Sequence, residues 1–300
     1  MKLSERVVIV LIGKLLSAAF SFGTSVVLAR MLTRASFGTY QQAVLVVAYV
    51  TPLALFGIDQ SVTFFIPRLR GNREIKSFVY QTTAILFLLG IAVSILLLFS
   101  AGWIGRIFHN SHLKSALTVF GFYPIFGFPF AIVSLVLYSL DRHKLSASLE
   151  AIFSCAQFLV ITGLVWFNSD LTLVLLGLVV VACGRILASI LLLRRCLGKE
   201  EGWTFNGSLL RDQLRFSAPL GFSKVLPIVT VNLDKIIISG FYAVSHFAIY
   251  AVGAIELPFV SLITYTTGNV ISPRLSRLFY EGRKEELVLT WHRMVHKTSL

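Results

Sequence analysis

The chain has 300 residues, of which 56% are hydrophobic and only 14% are charged, and its mean hydropathy is +0.81. Soluble domains carry about 25% charged residues, so this composition excludes a soluble globular protein and indicates an all-α integral membrane protein. A net charge of +13 would suggest nucleic-acid binding in a soluble chain, but here the basic residues follow membrane topology.

Eight apolar segments are long enough to cross roughly 30 Å of hydrocarbon as helices. They are residues 7–28, 40–66, 78–99, 117–140, 145–167, 171–193, 216–242 and 247–271. Nineteen lysines and arginines flank these spans on the side of the N-terminus, and only Arg30, Arg34, Arg106 and Lys114 flank them on the other. Because basic loops stay in the cytoplasm, we predict a multi-pass protein of the cell inner membrane with a cytoplasmic N-terminus and no nucleic-acid partner.

The first span carries a polar stripe. Its members, spaced three or four residues apart on one helix face, are Lys14, Ser17, Ser21 and Thr24. The span is too long for the apolar core of a cleavable signal, so we expect it to remain as an anchor. Arg30 follows at its external end and is interpreted as an interfacial anchor or a coupling residue.

The second span is interrupted by glycine and polar residues at positions 57–60, which include Asp59. This segment should face protein or water, because polar groups are costly against lipid. Pro124 and Pro129 predict a bend in the fourth span. Glu150, at the start of the fifth span, is interpreted as interfacial. Arg185 in the sixth is interpreted as a side chain that reaches back toward the cytoplasm.

Residues 194–215 are polar and glycine-containing, and we predict a cytoplasmic linker there. The predicted organisation is a six-helix bundle (1–193), this linker, the first two helices of a second bundle (216–271) and an amphipathic cytoplasmic helix (272–300). No ninth span precedes Leu300, and we expect the chain to be a truncated or partial version of a longer transporter.

The second bundle repeats the first at a constant offset of 210 residues. The matching pairs are Lys14 with Lys224, Phe37 with Phe247, Tyr40 with Tyr250, and Asp59 with Asn269. A charge at the bilayer centre costs at least about 2.5 kcal/mol, so each buried charge needs a reason. The remaining buried charges are Asp234, Lys235 and Glu256.

Two interpretations of Lys14 remain open. In one, it forms a structural pair with Asp59 or extends to the interface; in the other, it lines a water-filled cavity and contacts an anion. The repeat favours the cavity, because the residue matching Asp59 is Asn269 and one lysine would lack a partner. Asp234 or Lys235 could pair with Glu256 or Lys224.

The sequence predicts neither an enzyme nor a cofactor site. All six histidines lie in loops or tails, and no metal-ligand spacing, paired catalytic carboxylates or phosphate-binding glycine loop is present. The three cysteines have no disulfide or zinc pattern. This absence favours transport over catalysis.

Several short patterns, in order and over the whole chain, resemble the polysaccharide-unit flippases of the multidrug/oligosaccharidyl-lipid/polysaccharide exporter superfamily. They are residues 27–32, 37–40, 56–59, 217–220, 234–235 and 273–279. The resemblance implies two six-helix bundles that alternate access around a cationic cavity, and flipping of undecaprenyl-diphosphate-linked oligosaccharide from cytoplasm to periplasm for surface polysaccharide (O-antigen, capsule or exopolysaccharide) synthesis. A polysaccharide polymerase and glycosyltransferases would be partners, besides membrane lipids.

Under this resemblance, Lys14 and Lys224, followed by Asp234 and Lys235, are the candidate substrate contacts. Asp59, Arg185, Glu256 and Arg30 would be structural or coupling residues. The alternatives are a cation-coupled multidrug extruder, and a non-transporting scaffold or inactive fragment of a glycan assembly system.

Overall fold

The computed structural model describes residues 3–69, 71–198, 205–254 and 271–298, and over these ranges the chain is helical, with no strand. The helices are α1 (Leu3–Met31), α2 (Arg34–Leu55), α3 (Ile58–Phe65), α4 (Asn72–Ile107), α5 (Ser111–Phe120), α6 (Tyr123–Ala131), α7 (Val133–Ser139), α8 (His143–Phe167), α9 (Leu171–Cys196), α10 (Gly207–Phe241), α11 (Val244–Gly253), α12 (271–280) and α13 (Lys284–Thr298). The predicted all-α membrane fold is confirmed.

Among the described residues, four helices are long and apolar enough to cross a membrane alone, and six spans result if each of two bent pairs counts as one. The four are α1, α4, α8 and α9, at the predicted spans one, three, five and six. Predicted span seven lies within α10 except for its last residue, Tyr242. Span eight begins in α11, but residues 255–270, which include Glu256 and Asn269, lie outside the described residues. The count of eight therefore stays a prediction.

Two spans are broken, one at the predicted interruption and one just before the two prolines that predict a bend. Between α2 and α3, Phe56 and Gly57 both adopt left-handed backbone, with φ of 43° and 80°, and the axis turns by 47°. Between α5 and the α6–α7 pair the bend is 53°, at Gly121 and Phe122. The first break leaves Asp59 in the first turn of α3, where the positive end of the helix dipole favours a carboxylate.

Capping side chains set the starts of several helices. Thr33 accepts a hydrogen bond from the Ser36 amide at α2, and Asn110 accepts one from the His112 amide at α5. Asp170 caps α9 in the same way. Each cap satisfies a backbone N–H that the helix leaves without a partner.

Small residues let the helices of the first bundle approach closely. A Cβ at Gly13 of α1 would lie 2.7 Å from the Cβ of Ala147 in α8, and one at Gly90 of α4 would lie 2.6 Å from the Pro124 carbonyl. Close backbone approach of this kind drives helix packing in lipid, where the hydrophobic effect between helices is weak. The α1–α8 contact therefore holds Lys14 beside α8.

The second repeat packs on the first through α2 and α3. Gln213 near the start of α10 bonds Ser61 of α3, and Ser239 near its end bonds Gln42 of α2, so α10 runs antiparallel to this broken span. α11 packs on α2 beside it, where Gly38 touches the Val244 backbone. Because α11 is the repeat counterpart of α2, the two repeats meet through equivalent helices.

Helical structure reaches further into the predicted linker than expected. α9 continues to Cys196 and α10 begins at Gly207, so 194–215 is helical at both ends. Over its described residues, 272–298, the predicted amphipathic segment forms two helices, α12 and α13, separated by a turn in which Gly282 has φ of 74°.

Candidate functional site

A polar cavity of about 330 Å³ lies inside the first bundle, toward its predicted cytoplasmic side. Six helices (α1, α3, α6, α7, α8 and α9) supply its walls: Lys14, Ser17, Asp59, Phe130, Ala131, Ser134, Leu135, Tyr138, Glu150 and Arg185. Three of the buried charges that the sequence singled out, Lys14, Asp59 and Arg185, are therefore brought together.

Lys14 lies beside Glu150 of α8. Its Nζ is 3.8 Å from Glu150 Oε2, while the Ser134 hydroxyl donates to Oε1 at 2.6 Å. The side chains of Lys14 and Glu150 are only 16% and 14% exposed. The interfacial position expected for Glu150 is wrong, because its carboxylate points into the bundle, where Ser134 and Lys14 stabilise its charge.

Asp59 pairs with Lys224 of α10. The Lys224 Nζ donates to both carboxylate oxygens at 2.9 Å, and the two side chains are 28% and 15% exposed. The sequence suggested Asp59 as the partner of Lys14. The structure assigns Asp59 to the lysine of the other repeat, because α10 packs directly against α3.

The Arg185 side chain lines the internal cavity and does not extend toward the predicted cytoplasmic end of α9, so the expectation that it reaches that end is wrong. Its guanidinium carbon lies 4.1 Å from the centroid of the Phe130 ring and 5.9 Å from that of Phe153. Arg185 is about 16 Å from Cys196 by helical rise, too deep for its side chain to reach water at that end. The Arg185 Nε is buried and has no hydrogen-bond partner.

Cation–π contact with Phe130 offsets roughly 0.5 to 2 kcal/mol of the cost of burying Arg185, which is at least about 2.5 kcal/mol at the centre of a bilayer. A bound anion would lower the remaining free-energy cost of burying the Arg185 charge. With Lys14 and Lys224 against Asp59 and Glu150, Arg185 leaves the site with a surplus positive charge.

The remaining predicted contacts lie elsewhere. Asp234 accepts a hydrogen bond from the Tyr250 hydroxyl between α10 and α11, about 15 Å along α10 from Lys224 by helical rise. Lys235, the next residue, is partly buried. Arg30 is exposed in the last turn of α1, where a cation favours the negative end of the helix dipole.

A buried polar network that the sequence did not reveal joins the two repeats near their predicted external ends. Asn110 donates from Nδ2 to Thr39 Oγ1 at 2.9 Å and to Gln42 Oε1 at 2.6 Å, and Gln42 Nε2 donates to Ser239 Oγ at 2.8 Å. All four residues are at most 5% exposed. We call these four residues the external network.

No group of three or more histidine, cysteine, aspartate or glutamate side chains that could hold a metal ion occurs in the part of the chain that the structure describes. The three cysteines are free. The cavity lining itself combines cations and carboxylates with aromatic and hydroxyl groups around them.

Residues 3–279 match the family of polysaccharide biosynthesis proteins. The chain belongs to this family. No curated protein matches it. The resemblance drawn from the short sequence patterns is thereby confirmed at the level of the family, over nearly the whole chain.

Solved structures show the fold of this family member in other proteins. A multidrug and toxin extruder (MATE) structure, "MATE multidrug transporter DinF-BH in complex with R6G", superposes with a TM-score of 0.77 at 12% identity, over 99% of this chain and 70% of that one. A structure named "protein A" superposes with a TM-score of 0.76 at 11% identity, over 92% of this chain. The chain spans 65% of the length of protein A.

Proposed function

We propose that this polysaccharide biosynthesis family member is a membrane transporter, or the larger part of one, that flips undecaprenyl-diphosphate-linked oligosaccharide from the cytoplasmic to the periplasmic leaflet. The observation that carries the proposal is the cavity lined by Lys14, Arg185 and Asp59, whose carboxylate is paired with Lys224, inside a transporter-like fold. The family match supports the saccharide, and the cations support its diphosphate.

Lys14 and Lys224 are the proposed contacts to the diphosphate, one from each repeat. Each lies beside a carboxylate, at 3.8 Å from Glu150 and 2.9 Å from Asp59. A diphosphate can replace a carboxylate as the partner of a lysine, because both are oxyanions and the cations stay neutralised during the exchange. We propose that Asp234 and Lys235 act at a later step, since they lie beyond Lys224 toward the external end.

The direction of transport is favoured by the membrane potential. With a negative cytoplasm, outward movement of an anion gains about 2.3 kcal/mol per charge per 100 mV. We propose that the protein lies in the inner membrane with its N-terminus in the cytoplasm, and that the polymerase and glycosyltransferases of the same assembly system are its partners.

Glycan export in a bacterial strain that lacks its own flippase tests this function. Expression of the chain within its full reading frame should restore surface polysaccharide. Lys14→Ala and Lys224→Ala should each abolish the rescue at unchanged membrane levels, measured by immunoblot. Lys114→Ala is the matched control, since Lys114 is exposed on α5. Normal export with both Lys14 and Lys224 replaced would refute the proposal.

The carboxylates of the cavity and the shared fold favour a second candidate function, a cation-coupled multidrug extruder. Asp59 and Glu150 place two carboxylates in the cavity, and the fold is shared with a multidrug transporter. A cationic dye would need those carboxylates free. Efflux of R6G from cells that express the chain, lost in Asp59→Asn or Glu150→Gln, would establish this candidate, whereas R6G retention together with glycan rescue would exclude it.

A further inference from the structure

Arg185 differs from Lys14 and Lys224 because, among the residues that the structure describes, no carboxylate forms a salt bridge or hydrogen bond with it. Asp59 is bound by Lys224 through both oxygens, and Glu150 receives the Ser134 hydroxyl and lies beside Lys14. The contacts that hold its guanidinium are with the aromatic rings of Phe130 and Phe153, and Glu150 acts on it through its charge without a hydrogen bond or salt bridge. An incoming anion could therefore bind Arg185 without first breaking an ion pair.

The geometry around Arg185 is also suited to recognition. The guanidinium carbon lies over the Phe130 ring at 4.1 Å from its centroid, which limits the positions the guanidinium can take, and a planar guanidinium binds phosphate oxygens through two parallel hydrogen bonds. Lys14 lines the same 330 Å³ cavity and supplies a second, more flexible cation. One arginine and one lysine can divide the two phosphates of a diphosphate between them.

The Glu150 carboxylate competes with a diphosphate for Lys14. Its carboxylate lies 3.8 Å from Lys14, a distance longer than a direct hydrogen bond, and is held in place by Ser134. While the cavity is empty, this carboxylate neutralises Lys14. A diphosphate must compete with it, so Glu150 lowers the affinity of the site for anions and favours release.

We propose that Arg185 is the anion-binding residue that first receives the diphosphate of a prenyl-linked substrate, with Lys14 beside it and Glu150 as an internal competitor. This inference rests on the proposed function for the identity of the substrate. It assigns the initial binding to the first bundle alone, and Lys224 then acts through the exchange of its pair with Asp59.

Binding of farnesyl diphosphate to the purified chain in nanodiscs tests the inference. Arg185→Gln should lower the affinity at least tenfold, and Arg185→Lys should lower it less. Glu150→Gln, which keeps a group that can accept from Ser134, should raise the affinity severalfold. Arg195→Gln is the matched control, because Arg195 is exposed in the last turn of the same helix, and it should leave the affinity unchanged.

Two further probes separate the sources of binding. Farnesol should bind weakly and equally to the unaltered chain and to Arg185→Gln, since it lacks the anion. Inorganic pyrophosphate should compete with farnesyl diphosphate if the diphosphate alone occupies the site, and failure to compete would overturn the assignment to Arg185 and Lys14. The thermal unfolding midpoint of each variant separates a lost contact from a lost fold, and Arg185→Lys and Glu150→Gln still test the inference if Arg185→Gln unfolds.

Unchanged affinity in Arg185→Gln, or no binding of farnesyl diphosphate by the unaltered chain, would overturn the inference. The proposed function fails separately. If farnesyl diphosphate binds through Arg185 but glycan export is not restored, the function is wrong and the site stands. If export is restored and Arg185→Gln binds normally, the function stands and this inference is wrong.

Discussion

Lys224 of the second repeat donates from its Nζ to both carboxylate oxygens of Asp59 in the first, at 2.9 Å each. The pair joins α10 to the broken span α2–α3 at the wall of the cavity. Any motion that separates the repeats at this level must break it or give each partner a new one.

Removal of one charge of this pair should destabilise the protein more than removal of both. Asp59→Asn or Lys224→Gln leaves a partly buried charge alone, and we expect a loss of about 2 kcal/mol in the free energy of unfolding. The double variant Asp59→Asn, Lys224→Gln should recover at least half of that loss. Thermal unfolding in detergent measures all three. Additive losses in the double variant would show that the two residues do not interact.

Loss of the external network should open the external contact between the repeats. Gln42→Leu removes the donor to Ser239 and leaves Asn110 with one acceptor fewer, at a cost of about 1 to 3 kcal/mol for the unsatisfied buried groups. Faster hydrogen exchange of the amides at residues 239–247 would report the opening. Thr118→Ala, an exposed hydroxyl on α5, is the matched control, and equal exchange in both variants would contradict the role given to the network.

A side chain at Gly38 should force α11 away from α2. A Cβ there would lie 2.3 Å from the Val244 carbonyl oxygen and 2.6 Å from its Cγ1, so the backbones must separate. We expect Gly38→Ala to destabilise the protein by about 1 to 3 kcal/mol, as overpacking does. Gly102→Ala in α4, with nothing within 4 Å of the new Cβ, should be neutral or slightly stabilising. Similar melting temperatures for the two variants would refute this packing.

The predicted orientation can be tested with single cysteines. In a background with Cys155, Cys183 and Cys196 replaced by alanine, a membrane-impermeant maleimide added to whole cells should label Ser169→Cys, between α8 and α9. It should label Lys144→Cys, at the start of α8, only after the cells are broken. Both positions are exposed. The reverse pattern would place the N-terminus outside.

The sequence predicted the helical membrane fold because hydrophobic length and the distribution of basic residues depend on local composition. The break at Gly57 was also predictable, since glycine beside polar residues is costly against lipid. The pairing of the buried charges could not be predicted from the sequence. Lys14 lies about 10 Å and Glu150 about 8 Å from the predicted cytoplasmic ends of their predicted spans by helical rise, and this similar depth was the available signal. Which helices are neighbours depends on packing between distant segments, so depth alone could not choose between Asp59 and Glu150.

The same limit explains the misassignment of Arg185 and the missed external network. A lone arginine in an apolar run has the same sequence signature whether it reaches water or stacks on a ring, and only the packing of α6 on α9 brings Phe130 to it. Gln42, Asn110 and Ser239 are far apart in the chain and belong to no shared motif. For Gln42 and Ser239, polarity inside an apolar segment was the signal that each needed a partner, whereas Asn110 lies in a predicted loop and gave no such signal.

The side-chain amides of Asn110 and Gln42 form a series with a fixed direction. Asn110 uses its oxygen on the His112 amide at the start of α5, so only its nitrogen can face Gln42. Gln42 must then turn its oxygen to Asn110 and its nitrogen to Ser239. Position 239 can therefore hold only a residue that accepts a hydrogen bond. The capping bond at the start of α5 thus determines which residue types α10 can carry at a position about 130 residues further along the chain.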